Sequence, residues 1–307
     1  MSQVRAVIVM ATLNGAKWIR QQVESIRRQS MEDWVLLISD DGSSDATLDI
    51  ILEYTEADER IELLSARTGP SGHVANFEYL LSAAQQRGCA RIFLCDQDDI
   101  WEPDKLSRFL AAADSSAPNS VYYSDLQVLD EHRLEKTSFF VRMGYPQSVT
   151  TRLLLSQNTI PGCAMMLDID LLGIALPFPE GLQNHDWWLV QCASAKGGTF
   201  FVPGSPIQYR QHDENTIGAG LSIRSLPLLP ALITRQRRVL ASKIVAVQRL
   251  LSHGGELDDS AESSLREWLS AFDGTSRFVA AKELVFGKFK PVSISLLTLQ
   301  LIAILSQ

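Results

Sequence analysis

Short runs of nearly continuous hydrophobic residues recur through the first 125 positions: AVIVMA (6–11), WVLLIS (34–39), IELL (61–64), RIFLCD (91–96) and VYYSD (121–125). Runs this short, with no polar alternation, predict strands covered on both faces, as in a sheet sandwiched between helices. The segments between them change to helical spacing. Trp18, Ile19, Val23 and Ile26 share one face of the first, and Leu48, Ile51 and Leu52 one face of the second, which Ser43, Ser44 and Asp45 open as a capping group. In EPDKLSRFL (102–110), Pro103 stands where a first helical turn tolerates proline, ahead of Leu106, Phe109 and Leu110 on one face. This β-α alternation predicts an α/β fold, a Rossmann-like, mostly parallel, doubly wound sheet flanked by helices.

After residue 126 the pattern loosens. GCAMMLDIDLL (162–172) and GTFFVPG (198–204) read as further strands, with HDWWLVQCASAKGG (185–198) as a short helix between them. From Leu226 the chain reads as helices broken at HGGELDDS (253–260) and FDGTS (272–276), which predicts a division into residues 1–218 and a helical C-terminal region, 219–307.

A chain of 307 residues, 46% hydrophobic, can bury a full core, and a formal net charge of -8 argues against a general electrostatic grip on nucleic acid. The four cysteines, Cys89, Cys95, Cys163 and Cys192, form no CxxC pair and lie in apolar surroundings, so they read as reduced thiols of a cytosolic protein. The start, VRAVIVMATLNG, has neither a basic leader nor a small-residue cleavage site, so no secretory signal is expected. The longest apolar stretch, VSISLLTLQLIAILS (292–306), is fifteen residues with polar breaks, short of the roughly 20 that span a bilayer.

Ligands of doubly wound sheets bind beyond the carboxyl ends of the strands. Three of the predicted strands end in the polar clusters ATLNG, SDDGSSD and CDQDD, which therefore fall on one edge. Neither a GxGxxG nor a GxxxxGK[ST] fingerprint is present. Carboxylates after a strand often only cap the next helix. Asp96, Asp98 and Asp99, however, lie within four positions, and a divalent cation relieves their mutual repulsion most directly. Oxygen ligands suit Mg2+ or Mn2+, and such an ion keeps positions open for phosphate oxygens. In SDDGSSD the turn accounts for Gly42, Ser43 and Asp45, leaving Asp40 and Asp41 able to accept hydrogen bonds from a nucleobase or ribose.

These blocks resemble the family 2 inverting glycosyltransferases. VIVMATLNGAKWIRQQVESIRRQS, LLISDDGSSDATLDII, ANFEYLLSAA, FLCDQDDIWEPDKL and VYYSDLQVLD follow the family's order, and CDQDDIW with the later YRQHDENTIG is similar to its bacterial rhamnosyltransferase-like branch. The resemblance spans residues 4 to 218 and implies an A-type glycosyltransferase fold, a nucleotide-diphosphate sugar donor and a divalent metal, Mg2+ or Mn2+. By position it places Thr12, Asn14 and Asp41 in the nucleotide pocket, with Asp41 facing the base, and Asn76 near the donor sugar. Asp96 and Asp98 match the two acids of the D-x-D motif, Asp98 as metal ligand and Asp96 towards the ribose or the metal's water shell. Asp186 in NHDWWLV matches the general base, which on its own would read as a helix N-cap. His212 in YRQHD matches a histidine that completes the metal site or contacts the diphosphate, although a solitary histidine is also a common structural residue. SARTGPSGHVANFEYLL departs from the family: it is longer than usual, with His73 and Ala75 where a basic residue often precedes the asparagine.

The implied reaction is transfer of a sugar, L-rhamnose from its thymidine-diphosphate donor being preferred, to a saccharide or lipid-linked saccharide in cell-surface polysaccharide synthesis. Of the tryptophans, Trp187 follows the base candidate and is chosen to stack on the acceptor, whereas Trp188 reads as core. Residues 215–255 hold Arg224, Arg235, Arg237, Arg238, Lys243 and Arg249 and no acid. LITRQRRVLASKIVAVQRLL (232–251) is either an ordinary packed helix with a solvated side or a peripheral contact with an anionic membrane on the cytoplasmic face, and Lys288 and Lys290 ahead of the terminal apolar segment favour the second. The rival classes are a sugar nucleotidyltransferase, for which ATLNGAKW is a poor phosphate loop, a binding protein of the same fold without catalysis, and a hydrolase with paired carboxylates.

Overall fold

A computed structural model describes residues 4–113, 118–130, 133–211, 229–253, 256–272 and 291. The alternation forms as expected through β1 (Ala6–Thr12), α1 (Ile19–Arg27), β2 (Trp34–Asp40), α2 (Thr47–Ala57), β3 (Ile61–Leu63), α3 (His73–Arg87) and β4 (Arg91–Cys95). The two-residue β5 (Ile100–Trp101), α4 (Lys105–Ala113) and β6 (Val121–Tyr123) follow. Next come β7 (Gln127–Asp130), β8 (Arg133–Ser138), α5 (Phe139–Met143), α6 (Thr151–Ser156), β9 (Met165–Asp168), α7 (Leu172–Ala175), α8 (His185–Lys196), β10 (Thr199–Phe201) and β11 (Ile207–Gln211). Two helices close the described chain, α9 (Leu229–Ser252) and α10 (Asp259–Phe272).

The main sheet has seven strands in the order β10-β6-β9-β4-β1-β2-β3. All run parallel except β9, which is antiparallel to both β4 and β6. Its hydrophobic run, MMLD, announced a buried strand, but such a run has no direction of its own; chain connectivity sets the reversal. Ile8, Val9, Leu36, Leu37, Phe93 and Leu94 are fully buried in the central strands, and each such side chain stabilises the fold by ~1.5–3 kcal/mol. A second sheet, β5-β11-β7-β8, stands apart. No sequence pattern announced it, because β5 has two residues and β8 is largely exposed.

Register sets the site. Thr12 lies opposite Asp40 across β1 and β2, and Met10 lies opposite Cys95 across β1 and β4. The three polar clusters therefore leave the sheet side by side, as the strand-end argument predicts. In the small sheet β11 pairs with β5 and β7, which returns the chain to the acidic cluster just before residue 212.

The C-terminal helices share the core of the rest: Ala246, Val247, Leu250, Leu265 and Trp268 belong to the same buried cluster as the sheet. The basic segment also changes meaning. Lys243 is buried, with its ammonium donating to Leu155 O and lying 3.8 Å from the ring centre of Trp187, and Arg249 donates to Leu176 O at 3.3 Å. Arg235 and Arg238 remain on the exposed side, and Arg224, Lys288, Lys290 and the 292–306 segment lie outside the described residues. Among the described residues no helix is long and apolar enough to cross a membrane.

Candidate active site

The loops after β1 and β2 are clasped together. Asp40 accepts from Thr12 Oγ1 at 2.8 Å, Gly42 N at 3.0 Å and Ser43 N at 2.7 Å, so it organises the turn. Asn14, at φ 49°, accepts from Ser44 N through Oδ1 at 2.8 Å, while its own N–H donates to Ser43 Oγ at 2.8 Å. A left-handed backbone suits asparagine better than most residues. Gln97 ties this loop to the acids: its amide accepts from Leu13 N at 3.0 Å and donates to Leu13 O at 2.9 Å.

Asp41 accepts from Gly72 N at 2.6 Å and pairs with Arg67, which lies in the long connection before α3. A carboxylate offers about four acceptor positions, so these contacts fix Asp41 without exhausting it. Asn76, at the start of α3, donates to Ser39 O at 2.8 Å, and its buried Oδ1 has no hydrogen-bond partner. Thr12, Asn14, Asp41 and Asn76 are thus all held by contacts at the ends of β1 and β2 and the start of α3.

The acidic cluster is layered. Asp96 and Asp98 are half-buried, whereas Asp99 is fully buried. Asp99 Oδ1 accepts from Arg210 N at 3.1 Å, and its Oδ2 is buried with no hydrogen-bond partner. Burial, reinforced by the charges of Asp98 and Asp186, pushes the Asp96 carboxyl up to about 7. Burial and the charges of Asp98 and Asp96 also raise Asp99 well above the carboxylate range. Ligand atoms of Asp96, Asp99 and Cys163 lie within 4.8 Å of one another. Burial keeps the Cys163 thiol well above its ordinary pKa, so it stays protonated and a hard cation would be held by the carboxylates. The orphaned Asp99 oxygen and the crowded acids fit a divalent ion. Asp98 is outside that trio but adds its charge to it. His212 lies outside the described residues, one position beyond the end of β11.

Asp186 is the second residue of α8 and is buried. Its carboxylate accepts from Trp187 N at 2.7 Å and Asn158 Nδ2 at 2.9 Å. Burial nevertheless outweighs these hydrogen bonds and raises its pKa to about 6. That is where a base working near neutrality is useful. Its charge acts on Asp96, so it lies near the acids. The preceding His185 stacks on Phe77 with ring centres 3.9 Å apart, both its nitrogens are buried without partners, and burial keeps it neutral.

The structure corrects the reading of Trp187. It is 8% exposed, its indole N–H donates to Leu154 O, and Lys243 covers a ring face. It packs inside the fold next to Asp186, with one ring face taken by Lys243. Trp188 is core, as expected, with Nε1 donating to Ala175 O at 2.9 Å.

Sequence reasoning missed Asn158, Cys163, Lys105 and Arg210. Arg210 donates through Nε to Asp98 O at 2.9 Å and stacks over Trp18 at 4.1 Å. Lys105 opens α4, donates to Cys163 O at 2.9 Å and lies 3.4 Å from the Trp101 ring centre. Only the polar run QNT (157–159) gave any local signal; the other three meet the acids through tertiary packing.

Nucleotide-sugar enzymes with this sheet and an acidic strand end form the class to which the site points. The description "Glycosyl transferase family 2" matches residues 7–170 of this sequence. The chain belongs to that family. It is 28% identical over 225 residues to the dTDP-rhamnosyl transferase RfbG of Shigella flexneri, covering 70% of this chain and 76% of that protein. It is 33% identical over 185 residues to the putative teichuronic acid biosynthesis glycosyltransferase TuaG of Bacillus subtilis, covering 59% of this chain and 69% of that protein. Among solved structures, the mannosyltransferase PcManGT of Pyrobaculum calidifontis, in complex with GDP-Man and Mn2+, superposes with a TM-score of 0.55 at 15% identity, over 100% of this chain and 87% of that one. The fold is the A-type glycosyltransferase fold, and the protein is a glycosyltransferase.

Proposed function

We propose that the protein performs an inverting transfer of L-rhamnose from thymidine-diphosphate rhamnose to a saccharide or lipid-linked saccharide acceptor, with Asp186 as general base. The single observation that carries the base assignment is a buried carboxylate, raised to about 6, near the acids and acting on the Asp96 carboxyl through its charge. The similarity to the dTDP-rhamnosyl transferase RfbG of Shigella flexneri supports the donor. Thr12, Asn14 and Asp41 bind the nucleotide, Asp41 accepting an N–H of the base, and Asn76 Oδ1 accepts from a donor-sugar hydroxyl. Asp96 and Asp98, with Asp99 behind them, would hold Mg2+ or Mn2+, and by the family resemblance His212 would complete the set. When bound, that ion stabilises the charge that grows on the departing diphosphate.

Asp186 takes the proton of the acceptor hydroxyl while the nucleotide diphosphate leaves the opposite face of the sugar carbon. Trp187 N–H and Asn158 keep the carboxylate aimed, and the buried surroundings keep competing water out. A saccharide on a lipid carrier would be met at a membrane surface, and the exposed Arg235 and Arg238 of α9 suit its anionic head groups.

Incubation with a panel of nucleotide sugars, Mn2+ and a mixture of bacterial lipid-linked saccharides tests the reading. Release of thymidine diphosphate from the rhamnose donor, dependent on the acceptor, is the expected result. Release of pyrophosphate, or no turnover of any sugar nucleotide, would contradict it.

A further inference from the structure

Lys105 is a lysine with no exposed surface, placed behind the acids at the first position of α4. Leaving an ammonium in such a place is unfavourable unless nearby groups compensate it. Two neighbours hold it: the Cys163 carbonyl at 2.9 Å and the face of Trp101, whose ring centre is 3.4 Å away. The same Cys163 meets Asp96 and Asp99 through its side chain. Three acidic side chains are thus faced from the protein side by two buried basic residues, Lys105 through Cys163 and Arg210 through Asp98 O and Asp99 Oδ1.

We propose that Lys105 is an internal counter-cation of the donor site, a positioning residue that holds the net charge of the acidic cluster low enough for a metal–diphosphate to be retained. The proposal rests on the reading of that cluster as the metal and diphosphate site. Its consequence is a trade between two ligands of opposite sign. Burial lowers the Lys105 pKa to about 8, so near neutrality it still carries a positive charge behind the carboxylates. That charge opposes the incoming divalent ion but attracts the nucleotide diphosphate, and in a buried site both effects escape most of the screening by water. A merely structural lysine would weaken both ligands, or neither, when replaced.

The test uses Lys105→Met, which keeps the length and removes the charge, and Lys105→Gln, which keeps a donor for the Cys163 carbonyl. Mn2+ binding alone is measured by the paramagnetic resonance signal of free Mn2+, and thymidine diphosphate binding in saturating Mn2+ by calorimetry. In both variants the Mn2+ dissociation constant should fall by roughly three- to tenfold and the thymidine diphosphate constant should rise by roughly tenfold, as expected of one buried charge. Equal weakening of both ligands, no change in either, or failure of both variants to fold would assign the lysine to the fold alone and overturn the proposal. If the wild-type chain itself binds neither probe, the reading of the acidic cluster falls first, so the two failures are distinguishable.

Discussion

Asp186 carries a proton below about pH 6, because burial opposes its charge more strongly than two hydrogen bonds favour it. A general base acts only when deprotonated, so kcat/KM in saturating Mn2+ should rise tenfold per pH unit below about 6 and level off above it. A flat profile between pH 5 and pH 8 would contradict that role. The same shift has a cost in stability. The folded-state pKa lies above the ordinary aspartate value, so the native protein binds the proton more tightly than the unfolded chain, and this carboxyl makes the fold less stable as pH rises from about 4 through about 6. Asp186→Asn removes that dependence. At pH 7.5 the variant should melt at or above the wild-type temperature, with a gain of up to about 3 kcal/mol. A marked drop in melting temperature would mean that the carboxylate is a structural anchor and not a strained functional group.

At the scale of elements, three strand ends deliver the site and loop contacts hold it. Gly15 shows how tight that assembly is. A Cβ on this residue would lie 2.3 Å from Gln97 Oε1, the atom that accepts from Leu13 N and ties the first loop to the acids. Gly15→Ala must push Gln97 out of that bracket while leaving the buried strands untouched. The expected effect is a ten- to hundredfold loss in kcat/KM, roughly that of a one-ångström misplacement, with thermal unfolding almost unchanged. Unchanged kinetics would show that the bracket has no part in donor binding. These elements were largely legible in the sequence. Continuous hydrophobic runs between turn-forming polar clusters can be satisfied only by buried strands, and Asp96 and Asp98 stand immediately after one of them. The antiparallel direction of β9 was not legible, since hydrophobicity is blind to chain direction. Nor was the small sheet, whose strands are too short and too exposed to impose a period. It carries Arg210, and therefore part of the acidic cluster's charge balance.

Over the whole molecule, the predicted boundary after residue 218 meets a single continuous core. Ala246, Val247, Leu250, Leu265 and Trp268 pack into the cluster built by the sheet and α8, at ~1.5–3 kcal/mol for each large apolar side chain against a typical total stability of about 5–15 kcal/mol. A chain truncated after residue 218 should therefore lose cooperative unfolding or precipitate, and a truncated protein that melts like the full chain would show the helices to be an independent appendage. Lys243 shows why the basic segment was only partly legible. Charge in a sequence predicts a surface, but this lysine is enclosed by Trp187, Trp268 and the Leu155 carbonyl. Trp187 misled for the complementary reason: its position next to Asp186 was readable, and the lysine that covers it, from a helix about 55 residues later, was not. Asp186 is singled out by its motif alone, and its partner Asn158 becomes apparent only in three dimensions. The central claim is that one buried carboxylate takes the acceptor's proton beside a metal-bound diphosphate. Its most direct test is turnover by Asp186→Asn at saturating donor, with thymidine-diphosphate rhamnose binding measured in the same preparation. The account predicts unchanged donor affinity and a loss of transfer of roughly a hundredfold or more; transfer at the wild-type rate would contradict it.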